Sequence, residues 1–157
     1  MLPIGSCAER VREHLMATGV GYSLSDHDPA FTAQELAAAE HVPGRMVAKP
    51  VILWAGGELV MAVVPATSRV DLDLAAASLA VPAVAMAQES EFAERFPDCE
   101  RGAEPPFGSL YGMRTCIDVS MTTIHELVFA AGSHSRSMKI DTQDYLEAAK
   151  PDIVRLV

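Results

Sequence analysis

Lys49 stands inside an apolar run, Val47-Ala48-Lys49-Pro50-Val51-Ile52-Leu53-Trp54. In an extended chain Val47, Lys49, Val51 and Leu53 share one face and Ala48, Pro50, Ile52 and Trp54 the other. An ammonium therefore sits in an apolar row whichever face is buried. Burial disfavours its charged form, and such a lysine is kept chiefly where it meets an anion or a substrate's negative charge. The plainer alternative is a strand-edge lysine with its stem on the sheet and its head in water, which Pro50 favours because proline cannot donate to a central ladder. A second feature is the run Arg101-Gly102-Ala103-Glu104-Pro105-Pro106-Phe107-Gly108-Ser109-Leu110-Tyr111-Gly112. Its prolines stiffen the chain while Gly102, Gly108 and Gly112 permit positive φ or close approach, so fixed main-chain N–H groups could meet the developing oxyanion of an ester. An ordinary packed surface connection has the same composition. Third, Gly132-Ser133-His134-Ser135 follows an apolar segment ending at Ala131. A histidine there can orient water or donate to a carbonyl, and a solvated loop histidine is the simpler alternative. Arg136 and Lys139 could extend a small basic patch with Arg45 and Lys49.

Sharper templates fail. Gly108-Ser109-Leu110-Tyr111-Gly112 is one position off the G-x-S-x-G nucleophile elbow and lacks its strand-to-helix setting. No G-x-x-x-x-G-K-[ST] or G-x-G-x-x-G is present to cradle phosphates. The histidines His14, His27, His41, His125 and His134 show no H-E-x-x-H spacing, so no metal is expected. Asp26-His27-Asp28 is a local cluster that could take a cation weakly, the basis of a metal-dependent hydrolase reading ranked last. Cys7, Cys99 and Cys116 are far apart, with no Cys-x-x-Cys pair, and Cys116 reads as core.

Elements must position these residues. Ser6-x-x-Glu9 and Thr32-x-x-Glu35 are capping boxes that start two helices, stopped by Gly19 and by Pro43-Gly44. β-Branched and apolar residues from Met46 to Trp54 and from Glu58 to Val64 flank Gly56-Gly57, a two-residue hairpin signal. Asp71 caps a short helix through Leu79, Pro82 to Ala87 reads as a short buried strand, and Glu89 to Phe96 as a helix. The glycine-proline stretch after them reads as irregular. Strands follow at Arg114 to Asp118, His125 to Ala131 and Arg136 to Ile140, then a last helix capped by Asp141 or Thr142. This order mixes hairpins with crossovers and predicts an α+β domain with a mixed, strongly curved, barrel-like sheet and flanking helices, one domain over residues 1–157.

Composition narrows the classes. The 157 residues are 50% apolar, enough for a core without disulfides or metal. Twelve Lys+Arg against 21 Asp+Glu leave a net charge of −9, which repels polyanions and confines any nucleic-acid contact to a local patch; DNA is not an expected partner. The segment Met1 to Arg10 has neither the basic start nor the apolar region of a secretory leader. Leu74 to Ala87, broken by Ser78 and Pro82, falls short of the ~20 apolar residues that cross a bilayer. No membrane association is expected, and the odd cysteine count fits a reduced, cytoplasmic protein.

Taken together, Val47-Ala48-Lys49, Val64-Pro65-Ala66 with Arg69-Val70-Asp71-Leu72 after it, Gly102-Ala103-Glu104-Pro105-Pro106-Phe107-Gly108 and Ala131-Gly132-Ser133-His134 resemble the YbaK-type aminoacyl-tRNA deacylases, relatives of the editing insertion domain of bacterial prolyl-tRNA synthetase. The resemblance spans nearly the whole chain. It implies a mixed α/β fold with a curved, barrel-like sheet, and hydrolysis of the ester joining a wrong amino acid to the terminal adenosine of tRNA. It assigns Lys49 to holding the aminoacyl-adenosine end, Gly102 and Pro105 to the pocket-shaping loop, and His134 to placing the substrate. Lys49, Gly102 and His134 are thus the expected catalytic set, and Pro105, Pro106, Phe107, Gly108, Gly132 and Ser133 the expected substrate-binding set. The family needs no cofactor and no metal, a hydroxyl of the terminal ribose assisting the water. Implied partners are the acceptor end of an aminoacyl-tRNA, most plausibly tRNA for proline carrying Ala, Cys, Ser or Thr, and a synthetase. Pro50 departs from the pattern, because the family usually has threonine after its lysine. The alternative from another class is a non-catalytic regulatory module using the same pocket to hold a nucleotide-like or aminoacyl ligand.

Overall fold

The computed structural model describes residues 5–157; Met1 to Ile4, the start of the segment read for a leader, lie outside the described residues. Helix α1 (Cys7–Thr18) begins where the Ser6 hydroxyl accepts from the Glu9 N–H at 3.1 Å and ends at Gly19, φ 75°, burying Cys7, Ala8, Val11 and Leu15. Helices α2 (Ala33–Ala39), α3 (Leu72–Leu79) and α5 (Thr142–Ala149) start on the side chains of Thr32, Asp71 and Asp141. Helix α2 stops before the expected Pro43-Gly44, because Glu40 caps it and His41 turns out at φ 55°. Helix α4 (Glu89–Phe92) is one turn, continued as a 3-10 turn over Ala93–Arg95.

Strands β2 (Ala48–Ala55) and β3 (Glu58–Pro65) form the hairpin, with Gly56 and Gly57 at φ 60° and 83°, the left-handed pair that a twisted two-residue turn requires. They belong to a five-stranded sheet of order β4-β2-β3-β5-β8, with β4 (Val84–Met86), β5 (Arg114–Asp118) and β8 (Asp152–Val154). β3–β5 and β5–β8 pair in parallel, the rest antiparallel. A second sheet has the order β1-β7-β6, formed by β1 (Ser23–Asp26), β6 (Glu126–Ser133) and β7 (Arg136–Asp141). A Val47–Val128 bridge links the two. The architecture is the expected mixed α+β one; among the described residues its strands do not close into a barrel.

Three local expectations are corrected. The strand near 82–87 is shorter, and only its Val84 is buried, because β4 lies at the sheet edge. The glycine-proline stretch holds one 3-10 turn, Gly108–Tyr111. Strands β1 and β8 were not anticipated: β1 is polar and β8 spans three residues, so both exist through pairing with neighbours. The main core gathers Phe107, Phe129 and Tyr145, with ring centroids 5.3 and 5.5 Å apart, under α1 and α5. Cys116 is fully buried in the layer between the five-stranded sheet and α3. No helix among the described residues is long and apolar enough to cross a membrane.

Candidate functional site

A cavity of about 250 Å³ opens where the start of β2, the end of β6, the Gly102 loop and the segment entering α2 meet. Lys49, Gly102, Ser133 and His134 all line it, as do His27, Phe31, Thr32 and Glu104. β4 pairs only with Leu53 to Ala55, which leaves the first half of β2, with Lys49 on it, as an open sheet edge. Pro50 lies on that open stretch. Counting from the Ala55–Glu58 pair that closes the turn, its missing N–H would have faced away from β3, so no ladder bond is lost.

The Lys49 ammonium donates to the Ser68 carbonyl at 2.8 Å. Among the described residues it has no carboxylate partner. Burial and then the charge of Arg69 hold its pKa below the usual lysine value. Its head also borders a second, more polar depression of about 330 Å³ lined by Thr67, Ser68, Arg69 and Gln34. Lys49 therefore stands at the seam between a small apolar-walled cavity and a cationic groove, and an anion bound there would relieve both its desolvation and its repulsion from Arg69.

His134 is a strap. Its Nε2 lies 2.7 Å from the Arg101 carbonyl, which accepts from the ring in the tautomer that carries its proton on Nε2. Nδ1 faces the Ala30 carbonyl at 3.3 Å, and the backbone N–H donates to the Glu100 carboxylate at 3.1 Å. The ring so fixes the chain entering Gly102, whose φ is 84°. The Gly102 N–H donates to Glu104 Oε1 at 3.3 Å, a long bond, and burial pushes the Glu104 carboxyl above the usual carboxylate range. The Ser133 hydroxyl is held by Ser135 at 3.0 Å, and among the described residues no histidine bonds it to activate it.

The other expected binding residues lie elsewhere. Pro105, Pro106, Phe107 and Gly108 are buried behind the loop: Phe107 is 0% exposed in the aromatic core, and a Cβ on Gly108 would meet Thr115 Oγ1. Gly132 braces rather than lines. Its N–H donates to the Ala103 carbonyl at 2.8 Å, its carbonyl accepts from Glu100 at 2.9 Å, and an added Cβ would overlap Cys7. Of the Asp26-His27-Asp28 cluster only His27 reaches the cavity; Asp26 pairs with Arg136 and His27 Nδ1 bonds the Asp28 carbonyl, so the three side chains do not converge.

Sequence reasoning missed Phe31, Thr32 and Glu104 and gave His27 only a metal role. Phe31 is 65% exposed, with its ring 4.9 Å from that of His134. Nothing in the sequence around Phe31 signals this; Glu104, between Gly102 and Pro105, was the one legible from the loop already singled out.

The family model described as aminoacyl-tRNA editing domain matches residues 27–148. No curated protein matches the sequence. Among solved structures, a candidate trans-editing enzyme for prolyl-tRNA synthetase superposes with a TM-score of 0.83 at 20% identity, covering 98% of each chain. The hypothetical protein APE2540 gives 0.84 at 19% identity, over 94% of this chain and 98% of that one. A signal-transduction candidate from Marinobacter aquaeolei VT8 gives 0.73 at 16% identity, over 99% of this chain and 31% of that one, so there the fold is a part of a longer protein.

Proposed function

The chain belongs to the aminoacyl-tRNA editing domain family, and from that premise we propose that it is a trans-editing hydrolase, one domain over residues 1–157, acting in the cytoplasm. Its substrate is tRNA for proline mischarged with a small amino acid such as Ala, Cys, Ser or Thr. The observation that carries this reading is the convergence of Lys49, Gly102 and His134 on one small cavity. At about 250 Å³ it lies below the ~300–1,000 Å³ of ordinary ligand clefts, which suits a small aminoacyl group and rejects a bulky one.

In this reading Lys49 holds the phosphate or polar groups of the terminal adenosine, and Phe31 offers its exposed face to the adenine. His134 acts by fixing the Gly102 loop, not by exchanging protons with substrate. Water adds to the ester carbonyl, the bond to the ribose oxygen breaks, and that oxygen takes up a proton, with the neighbouring ribose hydroxyl assisting the water. A metal, an activated serine and a cofactor have no place in this scheme. A synthetase that delivers the tRNA remains a further partner of the proposal.

One contact favours the non-catalytic alternative: Gly102's N–H is already taken by Glu104, so it is not free to meet an oxyanion until that bond opens. Single-turnover release of amino acid from a panel of mischarged tRNAs decides between them. The hydrolase reading expects release of small amino acids and a loss of about 100-fold in Lys49→Ala with the fold intact, the size of ~2.7 kcal/mol of charge-assisted bonding. Binding without release supports the module, and unchanged turnover in Lys49→Ala removes the central residue of the hydrolase reading.

A further inference from the structure

Away from the cavity, the first turn of α1, the Asp98-Cys99 segment and the 3-10 turn at Gly108–Tyr111 bring two thiols, a carboxylate and a phenol together. The Tyr111 hydroxyl lies 3.2 Å from Cys7 Sγ, 3.3 Å from Cys99 Sγ and 3.0 Å from Asp98 Oδ1, and Cys99 Sγ lies 3.5 Å from Asp98 Oδ1. The donor atoms of Cys7, Asp98 and Cys99 are all within 4.8 Å of one another. Around zinc, bonds of about 2.3 Å to sulfur and 2.0 Å to oxygen give tetrahedron edges of roughly 3.3–3.8 Å. Four of the six separations among these atoms, 3.0–3.5 Å, are close to those edges, and the two between Cys7 and the Asp98-Cys99 pair lie within 4.8 Å.

The surroundings fit as well. Arg10 donates to Asp98 Oδ2 at 2.8 Å and lies 5.2 Å over the Tyr111 ring, which leaves Oδ1 turned to the thiols and places a positive charge behind the carboxylate. Two thiolates and a carboxylate carry one negative charge more than a divalent ion balances, and Arg10 offsets it from outside the ligand set. Cys7 is 1% exposed, whereas Asp98 and Cys99 are half-buried, so a path from solvent exists on one side.

We propose that Cys7, Asp98 and Cys99, with Tyr111 closing the fourth position, form a structural site for a thiophilic divalent cation, zinc being the best match to this donor set. On binding, both thiols lose their protons to solvent and two sulfur–metal bonds form without any change of oxidation state. The ion would tie α1 to the root of the Gly102 loop, because the next residue, Glu100, bonds both Gly132 and His134. The site is independent of the deacylation reading.

The test is a titration of the reduced, metal-free full-length protein with Co²⁺. We expect one equivalent to give thiolate-to-cobalt absorption in the near ultraviolet with intense tetrahedral bands in the visible, both bleached by Zn²⁺. Cys116→Ser should retain them. Cys99→Ser should lose at least half of the thiolate band, and Asp98→Asn should weaken cobalt affinity by about tenfold or more. Cys7→Ser packs against Gly132 and can fail to fold, so the half-buried Cys99 and Asp98 variants, checked for a cooperative melt, carry the result. Absence of thiolate absorption at excess cobalt, weak octahedral bands alone, or unchanged spectra in Cys99→Ser would each overturn the site.

Discussion

Lys49 and Glu104 show opposite consequences of burying charge at one cavity. The lysine loses solvation, faces Arg69 and gains only a carbonyl, so its charge is available to a ligand. The glutamate is destabilised as an anion by burial, and the N–H groups of Glu104 itself and of Gly102 only partly offset this. Its carboxyl therefore holds a proton in the folded chain at pH values where the unfolded chain, with an ordinary value near 4.5, has lost it. A folded state that binds the extra proton loses stability as pH rises through that window and stays less stable above it. Glu104→Gln keeps an acceptor for Gly102 and removes the ionisation. The variant should melt above the wild type at pH 7, with the difference shrinking as the pH approaches 4 in thermal unfolding. A wild type that is the more stable at pH 7 would mean that the Gly102 bond outweighs desolvation.

At the scale of elements, Gly132 carries a sharp prediction. It lies at φ 84° in the irregularity between Ala130 and Ser133 of β6, and the Cys7 side chain occupies the space a Cβ would need. Gly132→Ala should cost about 2–5 kcal/mol, combining left-handed strain of ~1–2 with overpacking of ~1–3. Urea unfolding of Gly132→Ala, Cys7→Gly and the double variant tests the cause: the cost of the alanine should shrink by about half or more when Cys7 is glycine. An unchanged cost would place the strain in the backbone alone. The same elements explain what was legible. The hairpin could be read because Gly56-Gly57 is a local device between β-branched runs, and helix starts because Ser6, Thr32, Asp71 and Asp141 act within their own first turns. The parallel pairing of β3 with β5, the division into two sheets and strand β1 all rest on partners far along the chain. Lys49 and His134 stood out through their local setting, a charge in an apolar run and a histidine at a strand end. Phe31 and the Cys7–Asp98–Cys99 group acquire neighbours only when α1, the entry to α2 and the Gly102 loop fold together.

For the whole molecule the issue is how a protein of net charge −9 meets RNA. Three basic side chains stand near the cavity: Lys49 and Arg69 border the adjoining groove, and Arg45, with His125 and Glu126, lines a further depression beyond Thr67 and Ser68. Contact limited to the acceptor end would neutralise about three phosphates, and single strands release roughly 0.7 counterion per phosphate, so log K should fall against log salt with a slope near −2. Arg69→Ala should flatten that slope by about 0.7 and weaken binding equally for every attached amino acid, because a phosphate contact carries no information about the acyl group. Filter binding or fluorescence anisotropy across a salt series measures the slope with uncharged tRNA and the acyl independence with tRNAs carrying different amino acids through a non-hydrolysable amide link. A slope steeper than about −4 would require a broad basic face, which the acidic surface does not offer, and would shift the docking surface away from this groove.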